Sequence, residues 1–208
     1  MFYILFMDHN NILGVVLAGG KSQRFGEDKS QAKLHGKILI DYIISEIIDQ
    51  FNEILIVTNN NIKFKKSDKI STTKDIKEGL GPLGGILTAM KWIKNEKKNY
   101  KWISTFPSDT PFFTKEELHL FYKNIDIQKS KLFFIKNKKT RHNIFGLWSI
   151  DLMDKLEFDL EKGERKVEIW ADSVGVEMIN IDFKKKDPFF NINTKKDLEL
   201  AHNMKKND

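Results

Sequence analysis

Cysteine is absent from all 208 residues, which excludes disulfides, thiolate metal sites and a cysteine nucleophile by inventory. Any metal must therefore sit on oxygen or imidazole. Arginine is scarce as well. Lysine supplies nearly all the cations, and Arg24, Arg141 and Arg165 are the only exceptions. They mark three positions for the planar, bidentate anion recognition that lysine does not supply. No apolar run reaches the ~20 residues a membrane helix needs. The first, Phe2 to Met7, has no basic residues ahead of it and no small-residue cleavage site behind it, so the expected compartment is the cytoplasm, with no membrane contact. Because Met7-Asp8 directly precedes the first core strand, one reading of residues 1–6 is that they come from an upstream start codon and have no role; the sequence leaves this open. Repeats and low-complexity linkers are also missing.

What is present suits one domain. With 40% hydrophobic residues, the chain is long enough to bury a sizeable core beside a cleft. The net charge of +6 comes from short lysine clusters such as 63–66, 136–139 and 184–186. No basic face is interleaved with aromatics, so these clusters read as solvated surface and no nucleic-acid partner is expected.

Along the chain, strands and helices alternate. Ile12 to Leu17 predicts a buried strand ending in a Gly-Gly turn, and Ile40, Ile43, Ile44, Ile47 and Ile48 recur at helical spacing. Glu53 to Thr58 is the next strand. Pro82 opens a helix with Leu83, Ile86, Leu87, Met90 and Ile93 on its apolar face. Lys101 to Phe106 is a further strand that ends in the turn Pro107 to Pro111. Thr114 and Glu117 form a capping box for the following helix. The segments 131–136 and 144–149 predict a hairpin, followed by helices near 151–160 and 164–172, a strand near 175–182, and a last helix capped by Thr194. The fold class is α/β, a three-layer α/β/α sandwich with a mostly parallel, partly mixed sheet. Within the single domain, residues 1–11 form an N-terminal extension, 12–112 one half and 113–201 the other.

Ligands of such sheets bind beyond the carboxyl ends of the strands, and two loops there are unusual. Leu17-Ala18-Gly19-Gly20-Lys21-Ser22-Gln23-Arg24-Phe25-Gly26-Glu27-Asp28-Lys29 combines glycines, which let backbone N–H groups approach a phosphate, with the cations Lys21, Arg24 and Lys29. It is neither a Walker A loop nor a G-x-G-x-x-G fingerprint. The second loop, Phe106 to Phe112, holds Asp109 between two stiffening prolines. A rigid carboxylate facing a triphosphate is what Mg²⁺ requires, since phosphates and waters complete its octahedron. The competing role, a cap for the next helix, is already filled by Thr114. Between these loops, the glycines of Gly79 to Gly85 serve either backbone contact with a nucleoside or close helix packing, and the sequence leaves both open.

LAGGKSQRFGEDK (17–29), GPLGG (81–85), PSDTPF (107–112), GERK (163–166) and NINTKKDL (191–198) together resemble the molybdenum cofactor guanylyltransferases, in order and approximate spacing, from about Ile12 to Ala201. The resemblance implies a Rossmann-like nucleotide-diphospho-sugar transferase fold. The implied reaction is Mg²⁺-dependent transfer of GMP from GTP to the phosphate of molybdopterin-bound molybdenum, with release of pyrophosphate; molybdoenzyme maturation proteins are a candidate partner. Carried over by position, Leu17, Ala18 and Gly19 hold the nucleotide through backbone groups, Lys29 neutralises its phosphates, and Asp109 binds Mg²⁺ and GTP. The composition of the loop adds Gly20 to the backbone contacts and Arg24 to the cations. Thr58 or Asn60 is a further nucleotide contact. Asp75 matches a family aspartate once one residue is deleted. Arg165, Asn191 and Asn193 are acceptor candidates, and Arg141-His142-Asn143 stands where the family commonly has His-Pro. The alternatives are a related cytidylyl- or sugar-nucleotidyltransferase, a non-catalytic GTP-binding maturation partner, and a basic nucleic-acid binder.

Overall fold

A run such as ILGVVL, apolar at nearly every position, is stable as a strand only if both faces are covered. Ile12–Leu17 (β1) accordingly lies inside a seven-stranded sheet in the computed structural model. The structure describes residues 9–19, 32–138, 140–183 and 187–204. Gly20, Lys21, Arg24 and Lys29, and the N-terminal residues 1–6, lie outside the described residues.

After β1 the described chain resumes with a small hairpin, Lys33–Leu34 (β2) and Lys37–Ile38 (β3), turned at His35 and Gly36 with φ of 48° and 83°. Positive φ at both central positions matches the twist of a two-residue hairpin. Leu39–Ile47 (α1), Ile54–Val57 (β4), Ile70–Thr73 (β5), Gly81–Asn95 (α2) and Trp102–Pro107 (β6) follow. The second half comprises Lys115–Lys123 (α3), Leu132–Asn137 (β7), Thr140–Ser149 (β8), Met153–Glu161 (α4), Val167–Val174 (α5), Glu177–Asn180 (β9) and Lys195–Asn203 (α6). The sheet order is β5-β4-β1-β6-β8-β7-β9, with β8 antiparallel to both of its neighbours and the other pairings parallel. The mixed three-layer architecture expected from the alternation is therefore present.

Alternation along β1 divides the core. Ile12 and Val16 face α1 and α3 in one cluster with Ile43, Ile47, Phe106 and Phe121. Leu13 and Val15 face α2, α4 and α5 with Leu83, Ile86, Leu156 and Trp170. A smaller cluster of Leu34, Leu39, Tyr42, Ile192 and Ala201 joins the β2-β3 hairpin to α1 and the last helix. Trp148 is fully buried in the second cluster and donates its indole N–H to Thr105 Oγ1 at 2.8 Å, which satisfies the polar tip of a large apolar side chain.

The structure corrects the sequence reading in two places. Ile70–Thr73, within what reads as a polar stretch, is the edge strand β5, paired with β4 from Ile54↔Ile70 to Val57↔Thr73. The expected hairpin is also longer, because β8 begins at Thr140 and its register against β7 shifts between Phe134 and Ile135. Gly146 permits this geometry: a Cβ there would lie 2.5 Å from Phe134 Cδ1.

Candidate functional site

Three parallel strands end together at one edge of the sheet. Leu17 is in register with Val57 of β4 and with Pro107 of β6. The pairing continues beyond the strands, since Ala18 N–H donates to Val57 O at 2.9 Å and Ser108 N–H donates to Leu17 O at 3.3 Å. The turn that opens the glycine-paired loop and the turn that carries Asp109 therefore emerge side by side. Leu17 is half-buried, Ala18 buried and Gly19 exposed, so the backbone comes to the surface where a ligand is expected.

The Asp109 turn is pinned from several directions. Thr110 Oγ1 donates to Pro107 O at 3.3 Å, and Ile192 N–H donates to Asp109 O at 2.9 Å. The cap of α3 is made by Thr114, whose N–H donates to Glu117 Oε2 at 2.9 Å, so the half-buried Asp109 carboxylate is not needed for that role. Its chemistry suits Mg²⁺, a hard cation that takes one or two protein oxygens and completes its shell with phosphates and waters. No group of three or more potential ligands exists among the described residues.

Thr58, buried beyond β4, uses its hydroxyl within the protein. It donates to Ala18 O at 3.3 Å and accepts from Asn60 N–H at 3.1 Å. It therefore holds the start of the first loop in place, while Asn60 is exposed.

Asp75, which the sequence aligns only through a deletion, falls at the same edge. A Cβ on Gly19 would lie 2.9 Å from Asp75 Oδ2, and one on Gly85 would lie 3.5 Å from Oδ1. The carboxylate occupies room that only two glycines leave. Asn59 Nδ2 donates to Oδ2 at 3.1 Å, and Asp75 N–H donates back to Asn59 Oδ1 at 3.1 Å. Oδ1 of Asp75 is buried and lacks a hydrogen-bond partner among the described residues. Burial pushes the carboxyl pKa above its ordinary value; the bond from Asn59 opposes this and the charge of Glu78 adds to it. Sequence reasoning missed Asn59, whose only signal is the polar run Asn59 to Asn61 directly after a buried strand.

Within α2, Gly84 and Gly85 serve packing, whereas Gly79 and Gly81 supply positive φ of 81° and 65° at the helix entry. A Cβ on Gly84 would meet Leu80 Cβ at 2.5 Å, and one on Gly85 would meet Leu17 Cδ2 at 3.0 Å. Close approach brings the first turn of α2 against the end of β1. The helix has no side-chain cap, and its dipole favours negative charge at that end.

The second half contributes along the same edge. The carbonyl of Arg165 lies 3.9 Å from where a Cβ of Gly81 would stand, while Arg165 Nη1 donates to Leu160 O at 2.7 Å at the end of α4. Asn191 and Asn193 are exposed on either side of Ile192, which binds the Asp109 turn. Arg141 is engaged by α5, with Nη1 2.9 Å from Asp172 Oδ1 and 3.6 Å from Glu168 Oε1. Its neighbour His142 packs on Phe189 with ring centroids 4.3 Å apart. Burial lowers the His142 pKa, against the opposing charge of Asp187. No helix of the described residues is long and apolar enough to cross a membrane.

The MobA-like NTP transferase domain matches residues 14–174. A molybdenum cofactor guanylyltransferase of Yersinia pseudotuberculosis is 32% identical over 193 residues, covering 91% of this chain and 94% of the relative. One from Nitrobacter hamburgensis is 26% identical over 194 residues, covering 92% and 93%. Among solved structures, the molybdopterin-guanine dinucleotide biosynthesis protein A of Archaeoglobus fulgidus superposes with a TM-score of 0.72 at 24% identity, over 92% of this chain and 97% of that one. It has the same Rossmann-like fold. With its parallel strand ends, the opening of the first loop at Ala18 and Gly19, and the aspartate turn assembled at one edge, the chain belongs to the MobA-like NTP transferase family of nucleotidyltransferases.

Proposed function

We propose that the protein is a cytoplasmic, Mg²⁺-dependent molybdenum cofactor guanylyltransferase that transfers GMP from GTP to the phosphate of molybdopterin and releases pyrophosphate. One observation carries the reading. Leu17 and Pro107 are register partners, and Ser108 N–H donates to Leu17 O at 3.3 Å. A triphosphate on the turn after β1 is thereby within reach of the carboxylate two residues beyond Pro107. Residues 12–112 form the nucleotide-binding half on this reading and residues 113–201 the acceptor-binding half of one domain. The product passes to molybdoenzyme maturation proteins.

The nucleotide lies along Leu17, Ala18, Gly19 and Gly20, with Thr58 holding the Ala18 carbonyl in place. Lys29 and Arg24 neutralise the phosphates, and Asp75 accepts a hydrogen bond from the nucleoside. Asp109 holds Mg²⁺, which when bound supplies positive charge against the departing pyrophosphate. Arg165, Asn191 and Asn193 face the acceptor. A phosphate monoester is already an anionic nucleophile near neutral pH, so its oxygen attacks the α-phosphorus in line, the bond to the bridging oxygen breaks, and no protein base is required. The chain contributes by positioning the reactants and by fixed charge. The test is to incubate the protein with Mg²⁺, molybdopterin-bound molybdenum and each of the four triphosphates, and to measure pyrophosphate. Release with GTP that depends on the acceptor is expected. Release with CTP instead, or equal release without the acceptor, overturns the reading.

A further inference from the structure

The parallel pairing of β4 and β5 brings their ends together, Val57 opposite Thr73, and continues as Thr58 N–H donating to Thr73 O at 2.9 Å. Asn59 and Asp75 each stand two residues past those partners. They form a closed pair, with Asn59 Nδ2 donating to Asp75 Oδ2 and Asp75 N–H donating to Asn59 Oδ1, both at 3.1 Å. The backbone donor requires the amide oxygen on its side, so the amide orientation is determined by the pair itself. One carboxylate oxygen is thus occupied, and the other, Oδ1, is buried without a partner among the described residues.

A buried acceptor left unmade costs free energy comparable to a lost hydrogen bond, so this arrangement serves a ligand group that donates. The surroundings narrow the choice. The carboxylate lies between Gly19 and Gly85, where a Cβ would come 2.9 Å from Oδ2 or 3.5 Å from Oδ1. This is the junction of the first loop with α2, at the nucleoside end of the proposed triphosphate site. An ionised carboxylate is acceptor-only. Among the common bases only guanine presents two adjacent donors, N1–H and N2–H₂, to such a group, whereas adenine and cytosine place a ring-nitrogen acceptor beside their amino group.

We infer that Asn59 is a positioning residue for base selection, fixing the Asp75 carboxylate so that Oδ1 receives the donor edge of a guanine base. The inference rests on the nucleotide-binding reading above and deepens it. Asn59 does not touch the base; it holds the group that does. Without it, the carboxylate swings toward solvent and loses its orientation.

The experiment measures dissociation constants by calorimetry, with Mg²⁺ present, for GTP, ITP, ATP and 2′-deoxy-GTP on the wild type, Asn59→Ala and Asn59→Asp. The second variant is nearly isosteric, keeps the acceptor for Asp75 N–H, and places a second carboxylate against the first. In the wild type, GTP binds tighter than ITP, which lacks the 2-amino donor, and tighter than ATP. In both variants GTP weakens roughly tenfold or more, in line with a lost hydrogen bond to a charged group, while ATP is unchanged, so the GTP-to-ATP ratio collapses. A merely structural role would weaken both equally, and that outcome overturns the inference, as does a GTP affinity within twofold of wild type. A wild type sensitive to 2′-deoxy-GTP but not to ITP would assign the donor to the ribose and also overturn it. Selective GTP binding without acceptor-dependent pyrophosphate release would sink the proposed transferase reaction while leaving this inference standing.

Discussion

Replacing Gly19 by alanine places a methyl carbon 2.9 Å from Asp75 Oδ2, against the 3.3–3.6 Å at which carbon and oxygen ordinarily settle. The carboxylate must retreat by roughly half an ångström to restore that contact. It is tethered to Asn59 Nδ2 at 3.1 Å, and a retreat of that size carries the bond to about the limit of useful hydrogen-bond geometry. The displaced Oδ1 then loses its bond to the nucleotide; hydrogen bonds to charged groups contribute about 1.5–3 kcal/mol, so nucleotide affinity falls roughly 10- to 100-fold. The fold shares little of the loss, because the Asn59–Asp75 bond is exposed to water that replaces it, and Gly19 is exposed and outside the positive-φ glycines. Alanine at a compatible backbone position gains about 0.4–1 kcal/mol from the unfolded state. The expected signature is therefore weaker GTP binding by calorimetry together with an unchanged or raised melting temperature. Unchanged GTP affinity, or a melting temperature that drops with it, would refute the reasoning. In Gly19→Ala combined with Asn59→Ala, the two losses are expected to be less than additive, since both act through one carboxylate.

Asp109→Ala and Lys29→Ala are each expected to lower turnover by at least about 10²-fold with circular dichroism unchanged, and near-normal turnover in either would count against its role. Asp75→Asn trades function for stability. Because burial holds the folded-state pKa of Asp75 above its ordinary value, the charged form costs stability at neutral pH, and the cost disappears as pH falls below the ordinary carboxylate value. The variant should therefore melt higher than wild type at pH 7, with the gap closing in acid, while binding GTP more weakly. His142 has the opposite charge sign. Its folded pKa lies below the ordinary value of about 6.5 because of burial, so the unfolded chain takes up a proton first. Stability should fall as pH drops below about 6.5 and through the lower folded value, and His142→Phe should flatten that part of the melting curve.

The long apolar runs and paired caps were legible before the structure. β1, β4, α2, β6, the Thr114–Glu117 capping box and the Thr194 cap follow from periodicity and local chemistry, while the pairing of Thr194 with Asp197 is a finding of the structure. β5 was not, because an edge strand of sequence ISTT needs no apolar face of its own; its strand character comes from pairing with β4. The same holds for the site. Asp109 and the glycine-paired turn announce themselves through prolines, glycines and cations concentrated in short connections. Asn59 and Asp75 are 16 residues apart and become partners only through the β4-β5 pairing that the sequence hides. Arg141, chosen because arginine is rare here, proves to be engaged by Asp172 and Glu168, a contact set by how α5 packs beside β8. The spacing of GPLGG did not decide between ligand contact and packing. The close approach of Gly84 to Leu80 and of Gly85 to Leu17 favours packing.

The account turns on a single metal ion linking the triphosphate to the carboxylate after β6, and electron paramagnetic resonance of Mn²⁺ in the presence of GTP measures that link directly. Wild type should bind Mn²⁺ at least roughly tenfold more tightly with GTP present than without it, and Asp109→Asn should lose most of that enhancement while still binding metal-free GTP, as expected when one charged ligand is removed. An enhancement of equal size in Asp109→Asn would contradict the account.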